Sequence, residues 1–455
     1  MDQEIGNQTG IKSEATAVST DTIVALASGA VPAAIAVIRV SGPKTRNVLE
    51  AFCGGMPEPR RATLRDIGPP RLPAIDRGLV IWFPGPRSFT GEDMAEFHAH
   101  GSRAVVSAVV EAVLSLSDTR LAEPGEFARR AFENGKLDLT QVEGLADLIS
   151  AETEAQRRQA LAQAEGSLGA LYEGWRAELL RAQAFMEAGL DFADEGDVVA
   201  DVAVKAEAIV TPLIASIAHH LADRRGERLR DGVRIVIAGP PNVGKSSLLN
   251  ALAKRDVAIV SEEAGTTRDV LEVHLDLGTL PVILSDTAGL RESESKVEAE
   301  GVRRALSRTE RADVVLWVVD ATAPAWQPPA ALGTRTVIPV LNKIDLTADA
   351  APPRDCIQIS AKSGRGFDRL IEALEEQAAL IAETGATAPL MTRARHRAEL
   401  EGARAALQRF GDPTLSLELK AEELRIAARH LGRLTGRIDV EEVLGAIFGE
   451  FCIGK

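Results

Sequence analysis

One octapeptide constrains this chain more than any other feature: residues 239–246 read GPPNVGKS, which is the pattern G-x-x-x-x-G-K-S. It follows an apolar run, Val233–Ala238, that predicts a buried strand, and it precedes a helix-like segment, Ser247–Ala253. Glycines in such a loop let backbone N–H groups curl around phosphate oxygens, and the helix N-terminus adds positive potential. Lys245 is expected to reach the outer phosphates, and Ser246 to ligate Mg²⁺. The octapeptide therefore predicts a phosphate-binding loop between a strand and a helix.

Downstream of this loop, short apolar runs alternate with helix-like segments. The runs predicted as strands are Val282–Ser285, Val314–Val319, Val337–Leu341 and Ile357–Ser360. Such alternation is typical of a doubly wound α/β domain, in which ligands bind at the carboxyl ends of the strands. We therefore expect the nucleotide site at that edge of the sheet, in a domain that spans residues 229–385.

Further motifs follow predicted strands: DTAG at 286–289, NKID at 342–345 and SAK at 360–362. Asp286 is placed to reach Mg²⁺, and the Gly289 N–H to meet the γ-phosphate. Asp345 would accept hydrogen bonds from the N1–H and the exocyclic amine of guanine, whereas adenine lacks the N1–H and would leave this carboxylate badly paired. The SAK residues would close over the base. This order of motifs is that of P-loop GTPases, and it opposes an ATPase.

The residue that usually orients water is missing. Ras-like GTPases place a glutamine directly after the Asp-x-x-Gly motif, and here that position holds Leu290. The side-chain oxygen of Asn242, inside the phosphate loop, can hold a monovalent cation, and carbonyls of residues 261–264 can reach the same ion. Thr267 supplies a hydroxyl for Mg²⁺. A monovalent cation so placed would neutralise transition-state charge where an arginine acts in other systems.

Changes in sequence texture divide the rest of the chain. Residues 1–20 read as a flexible polar leader, and residues 21–136 as an α+β unit. The elements predicted in that unit are the strands Thr22–Leu26, Ile35–Val40, Leu79–Phe83 and Met94–His98 and the helix Arg103–Leu116. Residues 137–228 and 386–455 carry apolar positions at helical spacing. The sequence thus predicts a multidomain chain in which the α/β domain is inserted into a helical domain built from two segments.

Composition narrows the classes of function. Against 66 Asp and Glu residues stand 52 Lys and Arg, and the net charge of −14 excludes a chain-wide nucleic-acid-binding charge. Local basic clusters remain candidates, with solvated helix faces as the alternative: Arg224, Arg225, Arg228 and Arg230, and Arg393, Arg395, His396 and Arg397. The 3 cysteines are too few for a disulfide scaffold or a Cys-ligated zinc site. No apolar run reaches ~18 residues, so we expect a cytoplasmic protein without a transmembrane helix.

Longer motifs carry a resemblance to a known family. They are PNVGKSSLLN at 241–250, GTTRD at 265–269, DTAGLRE at 286–292, FTGED at 89–93, PGEF at 124–127, KLDL at 136–139 and FCIGK at 451–455. The chain, from residue 21 onward, resembles the MnmE (also called TrmE) family of GTPases, which act in modification of the tRNA wobble uridine. The terminal FCIGK is the most specific motif, because a generic GTPase has no use for it.

The resemblance implies a K⁺-activated GTPase whose G domains pair across a homodimer. It assigns GTP binding to Asn242, Val243, Gly244, Lys245, Ser246, Ser247, Ser261, Glu262, Glu263, Ala264, Gly265, Thr266, Thr267, Asp286, Thr287, Ala288, Gly289, Asn342, Lys343, Asp345, Ser360, Ala361 and Lys362. It assigns K⁺ to Asn242, Ser261, Glu263 and Thr266, and Mg²⁺ to Ser246 and Thr267. Glu298 falls on the water-orienting glutamate of the family. The alternative for Glu298 is a solvated helix-face carboxylate, since other glutamates lie nearby.

The resemblance also implies a folate site in the N-terminal α+β unit. The ligand would be 5-formyl-tetrahydrofolate or another one-carbon tetrahydrofolate, held by Arg39, Glu96, Lys136 and Lys455. A surface ion pair is the alternative for Arg39 and Glu96. Residues 28–34 depart from the Gly/Arg-rich loop of the family. For Cys452, direct chemistry and packing beside the folate site both remain open.

The reaction implied is addition of an aminomethyl or carboxymethylaminomethyl group at C5 of the wobble uridine of tRNA. It needs an FAD-dependent partner, MnmG (GidA), in a heterotetramer; this chain has no dinucleotide fingerprint, so the flavin belongs to the partner. The alternative function is a regulatory or ribosome-assembly switch GTPase. A switch GTPase has no use for a folate module or for the FCIGK tail.

Overall fold

The computed structural model describes residues 21–69, 73–191, 196–255, 258–259, 272–277, 281–286, 312–324, 326, 336–347, 353, 355–382, 389–438, 441–449, 451 and 453–454. The chain divides into two compact units. The first comprises Met1–Ala146 and Thr435–Lys455, and the second comprises Asp147–Leu434. Each unit contains its own β-sheet.

The sheet of the first unit has the strand order β3-β4-β5-β2-β1-β6. Its strands are β1 (Thr22–Leu26), β2 (Ala33–Ser41), β3 (Thr63–Ile67), β4 (Asp76–Phe83), β5 (Met94–Gly101) and β6 (Thr119–Leu121). Neighbours are antiparallel, except that β1 and β6 run parallel. The strands predicted at β1, β2, β4 and β5 are confirmed. The sequence does not predict β3 and β6, because both are short and mostly polar and carry no readable apolar period.

Helices cover one face of this first sheet. The unit contains α1 (Thr45–Cys53), α2 (Arg103–Leu114), α3 (Glu126–Glu133) and α4 (Leu139–Ile149). Fully buried Ile38, Val80 and Phe97 belong to one core cluster with residues of α1 and α2. Leu64 and Leu79 point the other way: they pair across β3 and β4, and both are exposed. The opposite face of the sheet therefore carries exposed side chains.

The sheet of the second unit has the order β13-β12-β11-β7-β10-β9-β8. Its strands are β7 (Val233–Ala238), β8 (Ala258–Ile259), β9 (Glu272–Asp276), β10 (Pro281–Asp286), β11 (Val314–Asp320), β12 (Thr336–Asn342) and β13 (Ile357–Gln358). Strands β10, β7, β11, β12 and β13 are parallel, and β8 and β9 join antiparallel at one edge. Six of the seven residues of β11 are buried, as expected of a parallel sheet covered on both faces. The predicted strands are confirmed, but β13 ends at Gln358 because Ser360 turns into a loop and donates its N–H to Arg365.

Two chain segments build one helical bundle in the second unit. Its helices are α5 (Glu154–Ala164), α6 (Ser167–Asp191), α7 (Gly196–Ala222), α8 (Arg225–Asp231), α9 (Lys245–Leu252), α10 (Phe367–Ala382), α11 (Ala394–Phe410) and α12 (Leu417–Thr435). Leu179 of α6, Ile217 of α7, Leu407 of α11 and Leu431 of α12 share one buried cluster. The predicted multidomain fold is therefore confirmed: an α+β unit, a helical domain from two segments, and an inserted doubly wound α/β domain.

Two further features complete the chain. The stretch Val202–Asp231 has the length and hydropathy of a membrane-spanning helix, yet its Val210 and Leu213 pack in the bundle core. Past the bundle, α13 (Glu441–Gly449) returns to the first unit and contacts α3. Ile453 then forms a β-bridge with Pro124, so two of the motifs singled out in the sequence, PGEF and FCIGK, lie side by side.

Candidate functional site

The phosphate loop joins β7 to α9, as its sequence predicts. Gly244 caps the helix at φ +95°, and a Cβ at this position would lie 2.5 Å from Nδ2 of Asn342, so only glycine fits. Lys245 is buried, and its Nζ donates to the carbonyl oxygens of Gly239 at 3.1 Å and Pro240 at 2.9 Å. The ammonium group is thus held against the loop that the sequence assigns to phosphates.

Asn342, at the end of β12, ties two loops together. Its Nδ2 donates to the Val243 carbonyl at 2.8 Å, and its Oδ1 accepts from the Ala361 N–H at 3.0 Å. The side chain is buried, so losing either partner would leave an unsatisfied polar group. Asn342 therefore fixes the phosphate loop relative to the SAK loop.

Lys343 connects the phosphate loop to a residue that the sequence analysis did not single out. Its Nζ donates to the Asn242 carbonyl at 2.6 Å and to Asp320 at 2.5 Å. Burial opposes ionisation of Asp320, but the hydrogen bond from Lys343 holds the pKa of this carboxyl below its ordinary value. Asp320 ends β11, and its place at the carboxyl end of a parallel strand was the signal that could have identified it.

The carboxylate predicted to read guanine is exposed and held by one hydroxyl. Oδ1 of Asp345 accepts from Oγ of Ser360 at 2.6 Å, and this hydrogen bond keeps the pKa of Asp345 below its ordinary value. Oγ of Ser360 in turn accepts from the Ser363 N–H at 3.1 Å. Asp345 is therefore ionised at neutral pH, as an acceptor for two N–H groups must be.

A cavity of about 700 Å³ opens beside these loops. It is lined by Ser247, Asn250, Ala251, Lys254, Arg255, Ala361, Lys362, Ser363, Gly364 and Phe367. Arg255 ties its two walls: the guanidinium stacks 5.1 Å over the Phe367 ring and donates to the Gly364 carbonyl and to Asp368. The structure thus brings Ser247, Ala361 and Lys362, all predicted to bind nucleotide, to one concave surface. No sequence signal identifies Arg255, because its partners lie more than a hundred positions away.

Other predicted residues of this site lie outside the described part of the chain. They are Ser261, Glu262, Glu263, Ala264, Gly265, Thr266, Thr267, Thr287, Ala288, Gly289, Glu298, Cys452, Lys455 and the side chain of Asp286. The backbone of Asp286 ends β10, beside β7 and hence beside the phosphate loop. The roles of all these residues stay predictions.

The donors that are described fit the two cations implied by the sequence. Ser246 stands in the first turn of α9 and is exposed, and a hydroxyl is the kind of hard oxygen donor that Mg²⁺ takes. Asn242 is exposed at φ +61°, with its amide at the rim of the phosphate loop. Among the described residues no group of three or more His, Cys, Asp or Glu side chains could hold a metal.

A second candidate site lies on the sheet of the first unit. Arg39 and Glu96 are cross-strand partners, with Nη2 and Oε1 2.9 Å apart and side chains 21% and 15% exposed. The guanidinium lies 5.7 Å from the ring centre of Phe89 and 5.6 Å from that of Phe127. Nε2 of His98 approaches the other oxygen of Glu96 at 3.3 Å. The ion pair that the sequence left as an alternative is therefore formed, in a half-buried aromatic setting.

A buried charge network joins the conserved-looking motifs around this second site. Arg130, only 2% exposed at its side chain, pairs with Glu92 at 3.1 Å, Glu126 at 2.9 Å and Asp21 at 2.9 Å. Arg130 thereby links the FTGED and PGEF motifs to the start of β1. Lys136 is exposed and follows α3, and its Cγ would lie 3.3 Å from a Cβ placed on Gly91 of FTGED.

The basic clusters do not form the solvated patches considered as nucleic-acid contacts. Arg393 is buried against Asp147, and His396 is fully buried. Arg397 pairs with Glu227 through two hydrogen bonds. The other cluster is also neutralised in part, because Arg225 pairs with Asp223 and Arg230 with Asp147. These charges hold the fold, and the interpretation of the clusters as a tRNA-binding surface is wrong for those residues.

Comparison with known proteins covers nearly the whole chain. A family model described as the MnmE helical domain matches residues 139–452, and one described as the GTP-binding protein TrmE N-terminus matches residues 22–136. Relatives named tRNA modification GTPase MnmE include one from Parvibaculum lavamentivorans, 54% identical over 453 residues, which span 96% of this chain and 100% of the relative. The relative from Rhodopseudomonas palustris strain CGA009 is 53% identical over 445 residues, with 96% and 99% coverage.

A relative from Brucella melitensis is 50% identical over 441 residues, covering 96% of this chain and 98% of the relative, and carries the same name. Among solved structures, Aquifex aeolicus Era is 26% identical, over 40% of this chain and 68% of that one. Its TM-score of 0.26 is too low to support any conclusion.

Proposed function

The chain belongs to the MnmE family of tRNA modification GTPases, and on that premise we propose that it hydrolyses GTP at the carboxyl edge of its second sheet. The observation that carries the proposal is the linked set Asn342, Asp345 and Ser360. A buried amide fixes the phosphate loop to the SAK loop, and the same SAK loop presents Ser360 to the ionised carboxylate of Asp345. Guanine offers two N–H donors to such a carboxylate and adenine does not.

Hydrolysis would use residues on both sides of the γ-phosphate. Lys245 and the loop N–H groups would bind the outer phosphates, and Glu298 would orient the attacking water. Mg²⁺ would be held by Ser246 and Thr267, and K⁺ by Asn242, Ser261, Glu263 and Thr266. These cations would supply positive charge where negative charge develops. G domains of two copies would meet to close this site, so the proposal includes a homodimer.

A second ligand, a one-carbon tetrahydrofolate such as the 5-formyl form, would bind the first unit. Arg39, Lys136 and Lys455 would meet carboxylates of the folate, and Glu96 would accept from the N–H edge of the pterin. Support comes from the half-buried Arg39–Glu96 pair and from the flanking rings of Phe89 and Phe127, because a flat heterocycle needs both polar edges and aromatic faces.

The two ligands would serve one reaction on tRNA. With the FAD-dependent partner MnmG (GidA), the chain would add an aminomethyl or carboxymethylaminomethyl group at C5 of the wobble uridine, in the cytoplasm. The labour would divide by domain: folate at residues 21–136, GTP at residues 229–385, and a helical domain from residues 137–228 and 386–455 between them. Relatives at 50–54% identity carry the tRNA modification name that supports this assignment.

The test is GTP turnover in K⁺ and in Na⁺, with and without the flavoprotein partner. We expect turnover at least about tenfold faster in K⁺, since Na⁺ is too small for the same set of oxygens. Glu298→Ala should spare GTP binding and cut turnover about 100-fold, whereas the neighbouring control Glu300→Ala should match the wild type. Equal rates in the two salts would remove the K⁺ role, and an unaffected Glu298→Ala would reassign that residue.

A regulatory or ribosome-assembly switch remains the competing function. It shares every nucleotide motif with the tRNA-modifying GTPase but needs no folate. Calorimetric titration of the full chain with 5-formyl-tetrahydrofolate separates the two. Saturable binding that Arg39→Gln weakens supports the tRNA-modifying enzyme, and the absence of binding supports the switch.

A further inference from the structure

The segment that opens α11 touches every place where the chain passes between parts of the molecule. The chain crosses between the two units at residues 146/147 and 434/435. It crosses between the helical bundle and the α/β domain along α8, and it returns just before α11. Residues 392–397 read TRARHR, and their arginines are the ones that sequence analysis singled out without a role.

Each arginine of this segment binds a different crossing. Nη2 of Arg393 meets Oδ1 of Asp147 at 2.9 Å, where α4 leads in from the first unit. Arg395 donates to the carbonyls of Arg433 and Leu434 at 3.2 and 3.1 Å, where α12 leads back out.

Arg397 secures the third crossing. Its guanidinium pairs with Glu227 of α8 at 2.9 and 3.0 Å and donates to the Leu221 carbonyl, at the end of α7, at 2.7 Å. Arg393, Arg395 and Arg397, with their acceptors on these crossings, are called the arginine junction below. All of these contacts lie within the second unit.

Asp147 receives both crossings of the α/β domain. The same Oδ1 that pairs with Arg393 also accepts from Nε of Arg230, at 3.1 Å, in the last turn of α8. The Arg230 carbonyl in turn accepts from Gln156 of α5. Oδ2 of Asp147 is buried, and no described residue hydrogen-bonds to it. A buried carboxylate oxygen left unsatisfied costs stability, so the junction is not optimised for stability alone.

The packing around the junction leaves little freedom for independent motion. A Cβ on Gly226 would lie 2.3 Å from the Met391 carbonyl, so α8 rests directly on the backbone that leads into the segment. Thr392, 1% exposed, has its Oγ1 3.1 Å from Oε1 of Gln163 in α5. His396 is fully buried beside Tyr172, with ring centres 5.9 Å apart. A displacement of α8 therefore meets a rigid support instead of a soft loop.

We propose that the arginine junction is a positioning device that couples the α/β domain to the first unit. A nucleotide-dependent shift of α8 and of residues 389–393 would pass through the arginines to Asp147 and Leu434, where the chain continues into the first unit. Ion pairs suit this task because they have few acceptable geometries and exchange between discrete arrangements, whereas apolar contacts tolerate sliding. The inference rests on the proposed GTP cycle and adds to it the route by which that cycle reaches the second ligand site.

The experiment compares hydrogen exchange of the full chain with GDP and with GDP–aluminium fluoride, alongside GTP turnover. In the wild type, α4 and the last turn of α12 should change their exchange rates by about threefold or more between the two nucleotides. Asp147→Asn and Arg397→Gln should keep kcat and KM for GTP within about twofold but lose most of that difference. Arg425→Gln is the matched control, since Arg425 is an exposed arginine of the same bundle that pairs with Glu187 and Glu422.

The charge-reversed pair Arg397→Glu with Glu227→Arg should restore part of the response, which a purely structural role does not predict. If Asp147→Asn fails to fold, Arg397→Lys carries the test, because it keeps the charge and loses the fork. Variants that respond like the wild type overturn the proposal, and so does a wild type whose α4 and α12 never respond. A loss of tRNA affinity with the exchange response intact would make the junction a nucleic-acid contact instead. Absence of GTP turnover in the wild type would defeat the proposed function, and is measured separately.

Discussion

The two sheets of this molecule hold their candidate sites in opposite ways. The second sheet is mainly parallel, its central strand β11 is almost fully buried, and its polar residues gather at the ends of strands. The first sheet is mainly antiparallel with one face on helices, and its polar pair, Arg39 and Glu96, sits in the middle of β2 and β5. One site lies at an edge and the other on a face.

The difference follows from what each sheet leaves uncovered. A parallel sheet with helices on both faces offers only the carboxyl ends of its strands to a ligand. A sheet with helices on one face offers the other face, where neighbouring strands place side chains about 5 Å apart. An edge site is therefore built from loops that can move with the ligand, and a face site from strands that hold their register.

The largest effect that tests this contrast is a change of base specificity at the edge. Asp345→Asn removes the charged acceptor for two guanine N–H groups and presents an amide N–H to the C2 carbonyl of xanthine. The preference for GTP over XTP in kcat/KM should fall by a factor on the order of 10³–10⁴, from two charge-assisted hydrogen bonds. Steady-state kinetics with both nucleotides measures it. Asp368→Asn, at an exposed carboxylate near the same cavity, should keep the wild-type preference. An Asp345→Asn variant that still prefers GTP contradicts the assignment.

A somewhat smaller loss is expected from the phosphate loop. Lys245→Ala removes the ammonium that is held against the Gly239 and Pro240 carbonyls, and kcat/KM for GTP should drop about 10²–10³-fold. Lys254→Ala is the control, because Lys254 is exposed two residues past α9. A loss below about threefold, with the fold intact by circular dichroism, would take Lys245 out of the phosphate site.

On the face of the first sheet, the expected effect is confined to the folate. Arg39→Gln removes one charged partner of the ligand and of Glu96, and affinity for 5-formyl-tetrahydrofolate should fall about 10–100-fold. GTP turnover should stay within about twofold. Arg77→Gln changes an arginine that is 72% exposed on the same face and should leave folate affinity unchanged. Equal losses in the two variants would show that general charge, and not this pair, attracts the ligand.

The smallest effect compares a thiol in the core of each sheet. Burial raises the pKa of Cys53 to about 12 and that of Cys356 to about 11. Only the thiolate reacts, so at pH 8 iodoacetamide should alkylate Cys356 about tenfold faster than Cys53, and both far more slowly than an exposed thiol. Mass spectrometry on a Cys452→Ser background gives the two rates. A faster reaction at Cys53 would mean that the core of the first sheet opens more readily than burial indicates.

The sequence predicts the edge site far better than the face site. Asn342, Asp345 and Ser360 are recognisable from sequence because parallel strands bring their carboxyl ends to one edge, whatever the exact register. Arg39 and Glu96 are paired only through the register of β2 and β5, which the sequence does not state, and the resemblance to a family supplied them. Asp320 and Arg255 escape prediction because their partners come from distant loops.

The basic run at Arg393–Arg397 shows the same limit from the other side. Its charges suggest a solvated patch, but Arg393 pairs with Asp147, 246 positions away, and Arg397 with Glu227, 170 positions away. Local charge patterns report what a segment carries and not what lies across from it. Only the tertiary fold distinguishes a nucleic-acid surface from an internal junction.

The claim that each sheet holds its own ligand is tested most directly by hydrogen-exchange footprinting of the full chain. GDP–aluminium fluoride should protect the phosphate loop and residues 342–345 and 360–366 in the second sheet. 5-Formyl-tetrahydrofolate should protect β2 and β5 of the first. Protection of the same residues by both ligands, or folate protection confined to the second sheet, would contradict it.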